Sequence, residues 1–354
     1  MKMKFLFISL ISVLALFLCN CQQGNKKTED KALNVRFIEN EAGRKVDVMI
    51  DEKLFTSFCW PENVYKPILY PVYTSAGTEI TRGFPLRPRE GERIDHIHQV
   101  GIWLNYGKVN GLDFWGNGHR GFKEPGGGEI KHLNIEKLSE GKEGILVTNE
   151  SWVDSTGKEL LSENTQYHFI GKGPLRIIDR ITSLKAGSEE VFFDDTKEGM
   201  FGIRVARQLE LPVDEMVVLM DATGKPTEEK VNAAAGASGN YRSSDGKTGV
   251  AVWGTRAKWM DLYGNIGDEK ISLVVCDHPG NTGYPTYWHA RAYGLFAANP
   301  FGWYDFTDGK EKFNFSLKPG QTLKFRYRII ISSGIHLTDQ EINDLSTEFS
   351  GKYQ

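Results

Sequence analysis

The chain has 354 residues, a mass of 39.9 kDa and a formal net charge of −3 from 43 basic and 46 acidic side chains. With 40% hydrophobic and 12% aromatic residues it can bury a core, which excludes a disordered tail, and it lacks the basic excess that a nucleic-acid partner requires. Its 38 Gly, 20 Phe, 13 Tyr and 8 Trp suit a turn-rich β protein rather than a helical bundle.

Lys2 and Lys4 precede a largely apolar run, Phe5 to Leu18. That is the length of a signal-peptide core and short for a membrane span. Cys19 and Cys21 follow, where a lipobox cysteine would be lipidated and become the mature N-terminus. Cys21, with Leu18 three residues before it, is the expected lipidation site; an ordinary cleaved signal is the alternative. Residues 1–20 are thus read as a lipoprotein signal peptide, 21–32 as a flexible tether and 33–354 as a single β-sandwich domain. This predicts an exported protein, anchored in the periplasm or at the outer membrane through its N-terminal lipid only. Cys59 and Cys276 either form a disulfide or stand as separate buried thiols.

From Leu33 onward the pattern is short alternating runs broken by Gly, Asn, Asp and Pro. Strands are predicted at 34–38, 45–50, 53–58, 100–104, 144–148, 164–170, 175–184, 190–194, 249–253, 271–277 and 323–332. Turns are expected at 41–44 and 51–52. Thr338 and Glu341 form a capping-box pattern before a short C-terminal helix, and 209–219 and 228–235 are weaker helix candidates. So many strands with so little helix predict an all-β fold, a large antiparallel sandwich.

Three segments carry chemistry. In the first, His96 and His98 are two apart, so on an extended chain both rings point to one face, suited to metal ligation or an acid–base pair. Arg82, Arg87, Arg89 and Arg93 stand upstream and could hold an anionic or polyhydroxyl ligand; Arg87 is taken as substrate-binding. The second segment places Glu198 in a polar loop before a strand containing Arg204. Glu198 is a candidate general acid/base or third metal ligand, and Arg204 needs a carboxylate partner. The third, Cys276 to Trp303, gathers His278, Tyr284, Trp288, His289, Arg291 and Asn299 among aromatics, a surface suited to sugar C–H faces and hydroxyls. His289 and Arg291 share a face of an extended chain.

The catalytic candidates are therefore His96, His98, Glu198 and His289. The substrate-binding candidates are Arg87, Arg204, His278, Tyr284, Trp288, Arg291 and Asn299. His96, His98 and His289 are the candidate metal ligands, for a divalent ion if one is used. The partner expected is a small sugar or a glycan, with no nucleic acid. Three functions fit these residues: acid/base chemistry on a glycoside or oxidised sugar (epimerase, lyase or hydrolase type), a metal-dependent reaction, and glycan binding without turnover.

DHIHQVGIWLNYGKVNGLDFW (95–115), DTKEGMFGIRVA (195–206) and YWHARAYGLFAANPFG (287–302) together resemble the PmoA-like family of exported bacterial proteins, which carries the label methane oxygenase. The resemblance spans roughly residues 33–333. That family commonly has a further His where this chain has Gln99, a departure that counts against a three-His metal site. A methane monooxygenase membrane subunit needs several spanning helices, and beyond its leader this sequence offers none. The layout also resembles the galactose-mutarotase-like β-supersandwich, which implies a carbohydrate cleft on one sheet with His and carboxylate residues in it.

Overall fold

The computed structural model of the protein describes residues 32–116 and 126–354. The signal peptide, the lipidation site and nearly all of the tether lie outside them. Alternating apolar and polar residues produce strands β1 (Val35–Asn40), β2 (Lys45–Ile50), β3 (Lys53–Cys59), β4 (Ile68–Val72) and β5 (Ile102–Tyr106), with turns at 41–44 and 51–52. Longer strands follow: β6 (Glu129–Ser139), β7 (Glu143–Val153), β8 (Glu159–Lys172) and β9 (Leu175–Ala186). Then come β10 (Val191–Phe193), β11 (Gly199–Arg204), β12 (Met216–Val217), β13 (Val231–Asn232), β14 (Asn240–Ser243), β15 (Trp259–Ile266) and β16 (Glu269–Asp277). The chain ends with β17 (Tyr287–Ala290), β18 (Leu295–Asn299), the one-turn helix α1 (Trp303–Phe306), β19 (Phe315–Leu317), β20 (Thr322–Ser333) and α2 (Asp339–Ser350).

Two eight-stranded antiparallel sheets result, ordered β1-β2-β3-β4-β5-β11-β18-β17 and β14-β15-β16-β20-β9-β8-β7-β6. One core joins them, with Phe55, Ile102, Phe201 and Phe296 from the first sheet and Leu161, Phe169, Leu273 and Ile329 from the second. The fold is all-β, as the alternation implied. At α2, Thr338 Oγ1 accepts from the Glu341 amide at 3.3 Å and Glu341 Oε2 accepts from the Thr338 amide at 2.7 Å, the expected capping box.

Two local expectations are corrected, the helices and one strand, and the alternative left open for the two cysteines is decided. Segments 209–219 and 228–235 are not helices: they supply the β12–β13 pair, tied by the Ala233 amide to the Glu215 carbonyl at 2.7 Å. Pro212 also removes an amide that a helix would need. Residues 249–252 form a 3₁₀ turn instead of a strand, because Gly249 at φ +59° bends the chain out of extension. Cys59 and Cys276 are both free, one on β3 of the first sheet and the other on β16 of the second.

Candidate functional site

The pleat of the first sheet sorts its residues into two sets. On β5, β11, β17 and β18, Ile102, Leu104, Ile203, Trp288, Ala290, Phe296 and Ala298 enter the core between the sheets. The residues between them face the other way, where Trp103, Leu295 and Ala297 build a second apolar cluster with Trp115 and Tyr70. Gly202 makes this possible, since a Cβ there would lie 2.6 Å from the Trp103 indole. Arg204, His289, Arg291 and Asn299 belong to the same outer face by alternation. On it lies a cavity of about 850 Å³. Its walls include Asp95, His96, His98, Gln99, Asp113, Trp115, Lys197, Glu198, His289, Arg291 and Tyr293.

His96 and His98 both reach this cavity, with ring centroids 5.8 Å apart, but not by strand alternation. His96 is left-handed at φ +44°, and its carbonyl accepts from the Gln99 amide at 2.9 Å, so the segment is a turn. Two buried guanidiniums hold it. Arg82 donates to the carbonyls of Asp95 (2.8 Å), His96 (2.9 Å) and Gln99 (3.0 Å), and to Asp95 Oδ1 at 2.9 Å. Arg204 donates to Asp95 Oδ1 and to Gln99 Oε1, each at 2.6 Å. Burial pushes the Asp95 carboxyl upward, but His96, Arg204 and Arg82 outweigh it and hold the group well below the usual carboxylate range. Asp95 Oδ2 lies 3.2 Å from His96 Nδ1, within ion-pairing reach though off the line of a good hydrogen bond. The His96 ring stacks on Tyr293 at 4.8 Å with 9° between planes.

The opposite wall is the 194–198 loop. Asn299 Nδ2 donates to the Thr196 carbonyl at 2.9 Å, Tyr106 Oη donates to the Asp194 carbonyl at 2.9 Å, and His289 Nδ1 donates to the Lys197 carbonyl at 2.9 Å. A carbonyl only accepts, so Nδ1 carries the proton and Nε2 is the bare nitrogen. Burial drives the His289 pKa down to about 3, and the ring is neutral at ordinary pH. Glu198 is half-buried, and burial raises its pKa despite Lys197, whose Nζ lies 3.4 Å from Oε1. Gly107 allows the loop this close: a Cβ there would stand 2.8 Å from Glu198 Cβ.

The structure therefore brings His96, His98, Glu198, His289 and Arg291 to one cavity. Other sequence candidates sit elsewhere. Arg204 is completely buried behind the cavity wall, stacked 4.8 Å from the Tyr293 ring, and acts on Asp95 and Gln99. Asn299 is buried and braces the 194–198 loop. Trp288 points into the core, with Nε1 donating to the Ala257 carbonyl at 3.1 Å; alternation puts it opposite His289. Arg87 is exposed and paired with Glu79. Tyr284 stands on the loop closed by Arg256, which donates to its carbonyl at 3.3 Å. His278 Nε2 donates to the Lys352 carbonyl at 2.8 Å, and its Nδ1 accepts from the Gly280 amide at 3.0 Å. None of these six lines the cavity. Sequence reasoning passed over Asp95, Gln99, Trp115 and Tyr293, although all four lie in the motifs it quoted. The usable signal was the unpartnered Arg204, which required an acid. Among the described residues, no three His, Cys, Asp or Glu side chains gather as a metal ion would require.

A two-sheet antiparallel sandwich with a polar, histidine-lined cavity on one outer face is thus the class of protein. The chain belongs to the family of unknown function DUF6807, which it matches over residues 45–347. No curated protein matches the sequence. Among solved structures it is similar to the galactosidase domain of an α-galactosidase–sucrose kinase, at 9% identity and a TM-score of 0.38, over 84% of this chain and 41% of that one. This chain thus spans less than half the length of that protein. It is also similar to a galactose mutarotase related enzyme from Lactobacillus acidophilus, at 9% identity and a TM-score of 0.32, over 86% and 98% of the two chains. A GalM/aldose epimerase homologue from C. elegans shares 10% identity at a TM-score of 0.27, over 87% of this chain and 100% of that one. The chemistry of the cavity rests on this chain's own residues.

Proposed function

We propose that this protein is an exported lipoprotein that takes a small sugar or oxidised sugar into the histidine-lined cavity and moves a proton on it. The observation that carries the reading is the convergence of His96, His98, Glu198, His289 and Arg291, from three distant segments, on one cavity of about 850 Å³. His96, its ring held by stacking on Tyr293 beside the ionised Asp95, acts as general base toward a hydroxyl or a C–H beside a carbonyl. Glu198, whose pKa burial raises, is the group proposed to exchange a proton with the substrate from the opposite wall. His289 stays neutral far below physiological pH, which makes it a poor proton store; its bare Nε2 accepts a hydrogen bond from a substrate hydroxyl. Arg291 faces the developing oxyanion. Export, the lipid at Cys21 and anchorage in the periplasm or at the outer membrane belong to this proposal. The PmoA-like resemblance enters it as a likeness of motifs, without methane chemistry. Among the described residues no helix is long and apolar enough to cross a membrane.

The test is ligand-observed NMR of the full chain against neutral hexoses, uronates and disaccharides. Solvent-deuterium incorporation into any binder then reports proton transfer. His96→Gln and Glu198→Gln are expected to lower turnover about 10²–10⁴-fold with the binding constant nearly unchanged. Full turnover in the His96, His98 and His289 variants together would remove the catalytic assignment. Sugar binding with no exchange and no product would leave a glycan-binding protein.

A further inference from the structure

The acids in the wall of the large cavity are already engaged. Asp95 Oδ1 is held by Arg82 at 2.9 Å and Arg204 at 2.6 Å, Glu215 by Arg93 at 3.2 Å and Glu198 by Lys197 at 3.4 Å. Asp113 Oδ1 accepts the amides of Trp115 and Gly116 at 2.9 and 2.8 Å. Two cations of the same wall, Arg291 and Lys108, are different. Both are exposed, and among the described residues no carboxylate lies within ion-pairing distance of either. The wall's carboxylates are answered from within the protein, and two of its cations are not, which favours an anionic guest.

Arg291 is the better placed of the two. It follows β17 directly and its backbone closes a turn, with its amide donating to the Leu295 carbonyl at 2.7 Å and its carbonyl accepting from the Gly294 amide at 3.0 Å. Its guanidinium carbon lies 5.8 Å from the Trp253 ring and 5.8 Å from the Tyr293 ring, which steady a planar cation without using its N–H donors. His289, two residues earlier, faces the same way, and its bare Nε2 is an acceptor. His96 stacks on the same Tyr293 ring at 4.8 Å. An open guanidinium fork, an open acceptor and the proposed base thus line one cavity together.

We propose that the ligand of this cavity is a uronic acid, whose carboxylate binds the Arg291 fork while one of its hydroxyls donates to His289 Nε2. This narrows the reading of the cavity as a sugar site and rests on it. A carboxylate matches a guanidinium through two parallel N–H···O bonds, where a neutral hexose offers only hydroxyls. With its charge offset by Arg291, the carboxylate also makes the C–H beside it removable by His96, which a phosphate ester would not.

The test measures Kd by ligand-observed NMR on the full chain for glucuronate and galacturonate, the methyl ester of each, glucose, galactose and glucose 6-phosphate. A uronate is expected to bind about tenfold or more tighter than its own methyl ester and its parent hexose. Arg291→Gln should bring acid and ester to the same affinity. Lys270→Met, which removes an exposed lysine on β16, should keep the preference. Equal affinity for acid and ester in the wild type overturns the assignment. So does an undiminished preference in Arg291→Gln, a loss of equal size in Lys270→Met, or tighter binding of the phosphate. Should Arg291→Gln not fold, the acid–ester comparison in the wild type decides alone. Uronate binding through Arg291 without solvent-deuterium exchange would keep the uronic acid and remove the proton transfer. Neutral sugars that bind and exchange where uronates do not would do the reverse, and no binding of any of these sugars removes both.

Discussion

The two outer faces of the sandwich use the same residue types to opposite ends. On the first sheet, Arg204 holds Asp95, which faces His96, which stacks on Tyr293. On the second, Arg328 grips Asp179 through two bonds at 2.6 and 2.8 Å, and Tyr353 Oη donates to Asp179 Oδ2 at 3.0 Å. His278 lies beside them, its ring 5.1 Å from Phe349 of α2. The difference is the cover. Helix α2 packs Ile342 and Phe349 onto Trp259, Val274 and Ile330, and Trp259 Nε1 donates to Asn343 at 2.8 Å. Beneath it Arg328 and Asp179 are both fully buried, and both His278 nitrogens are bonded within the protein. Over the first sheet no such helix lies among the described residues. There His289 keeps a bare Nε2, and Asp95 remains about one-third exposed. Arg, Asp, His and Tyr therefore do not define a site by their presence; what counts is which of their polar atoms the fold leaves unspent.

The strongest challenge to that contrast is to break each pair in turn. Asp179→Asn leaves the buried Arg328 with only the half-exposed Glu348, at 3.3 Å, as counter-charge and is expected to lower stability by about 3–5 kcal/mol in urea unfolding. Asp95→Asn, next to solvent, should lose clearly less stability while abolishing most activity or ligand orientation at the cavity. Equal losses in the two variants would mean that the first face is as structural as the second.

Acid sharpens the comparison at His289. Its folded-state pKa of about 3 lies below the ordinary 6.5, so below pH 6.5 the unfolded chain binds a proton that the folded chain does not. Stability is unaffected above pH 6.5, falls as pH drops through 6.5, and reaches its full loss near pH 3. His289→Gln should show a shallower fall in Tm between pH 7 and pH 4 than the wild type. An unchanged slope would mean that the ring is not held neutral by burial.

The smallest expected effect is at the lid of the closed face. Thr338→Ala removes the capping box of α2 and should cost about 1 kcal/mol, read as a modest drop in Tm. Binding in the cavity on the other face should not change. A matching loss of affinity there would show the two faces to be coupled.

Much of this could be read along the chain. Alternation located β1, β2, β3, β16 and β20 nearly to the residue, and the capping box marked α2. The same period of two places His289 and Arg291 on one face and Trp288 with Ala290 on the other, which proves to be the core side, so Trp288 does not bind substrate as expected. The His96–His98 pair meets for a reason outside that rule, because a left-handed residue and the Arg82 guanidinium shape a turn.

Strand period and helix capping depend on neighbours a few residues away, so the order of side chains is enough to reveal them. Whether a polar atom stays open depends on partners that only folding delivers. Arg204 finds Asp95 across 109 residues, His289 finds the Lys197 carbonyl across 92, and His278 finds Lys352 across 74. One imidazole is left facing a cavity and another is closed off because burial removes water from both, while the fold supplies a second partner to only one of them.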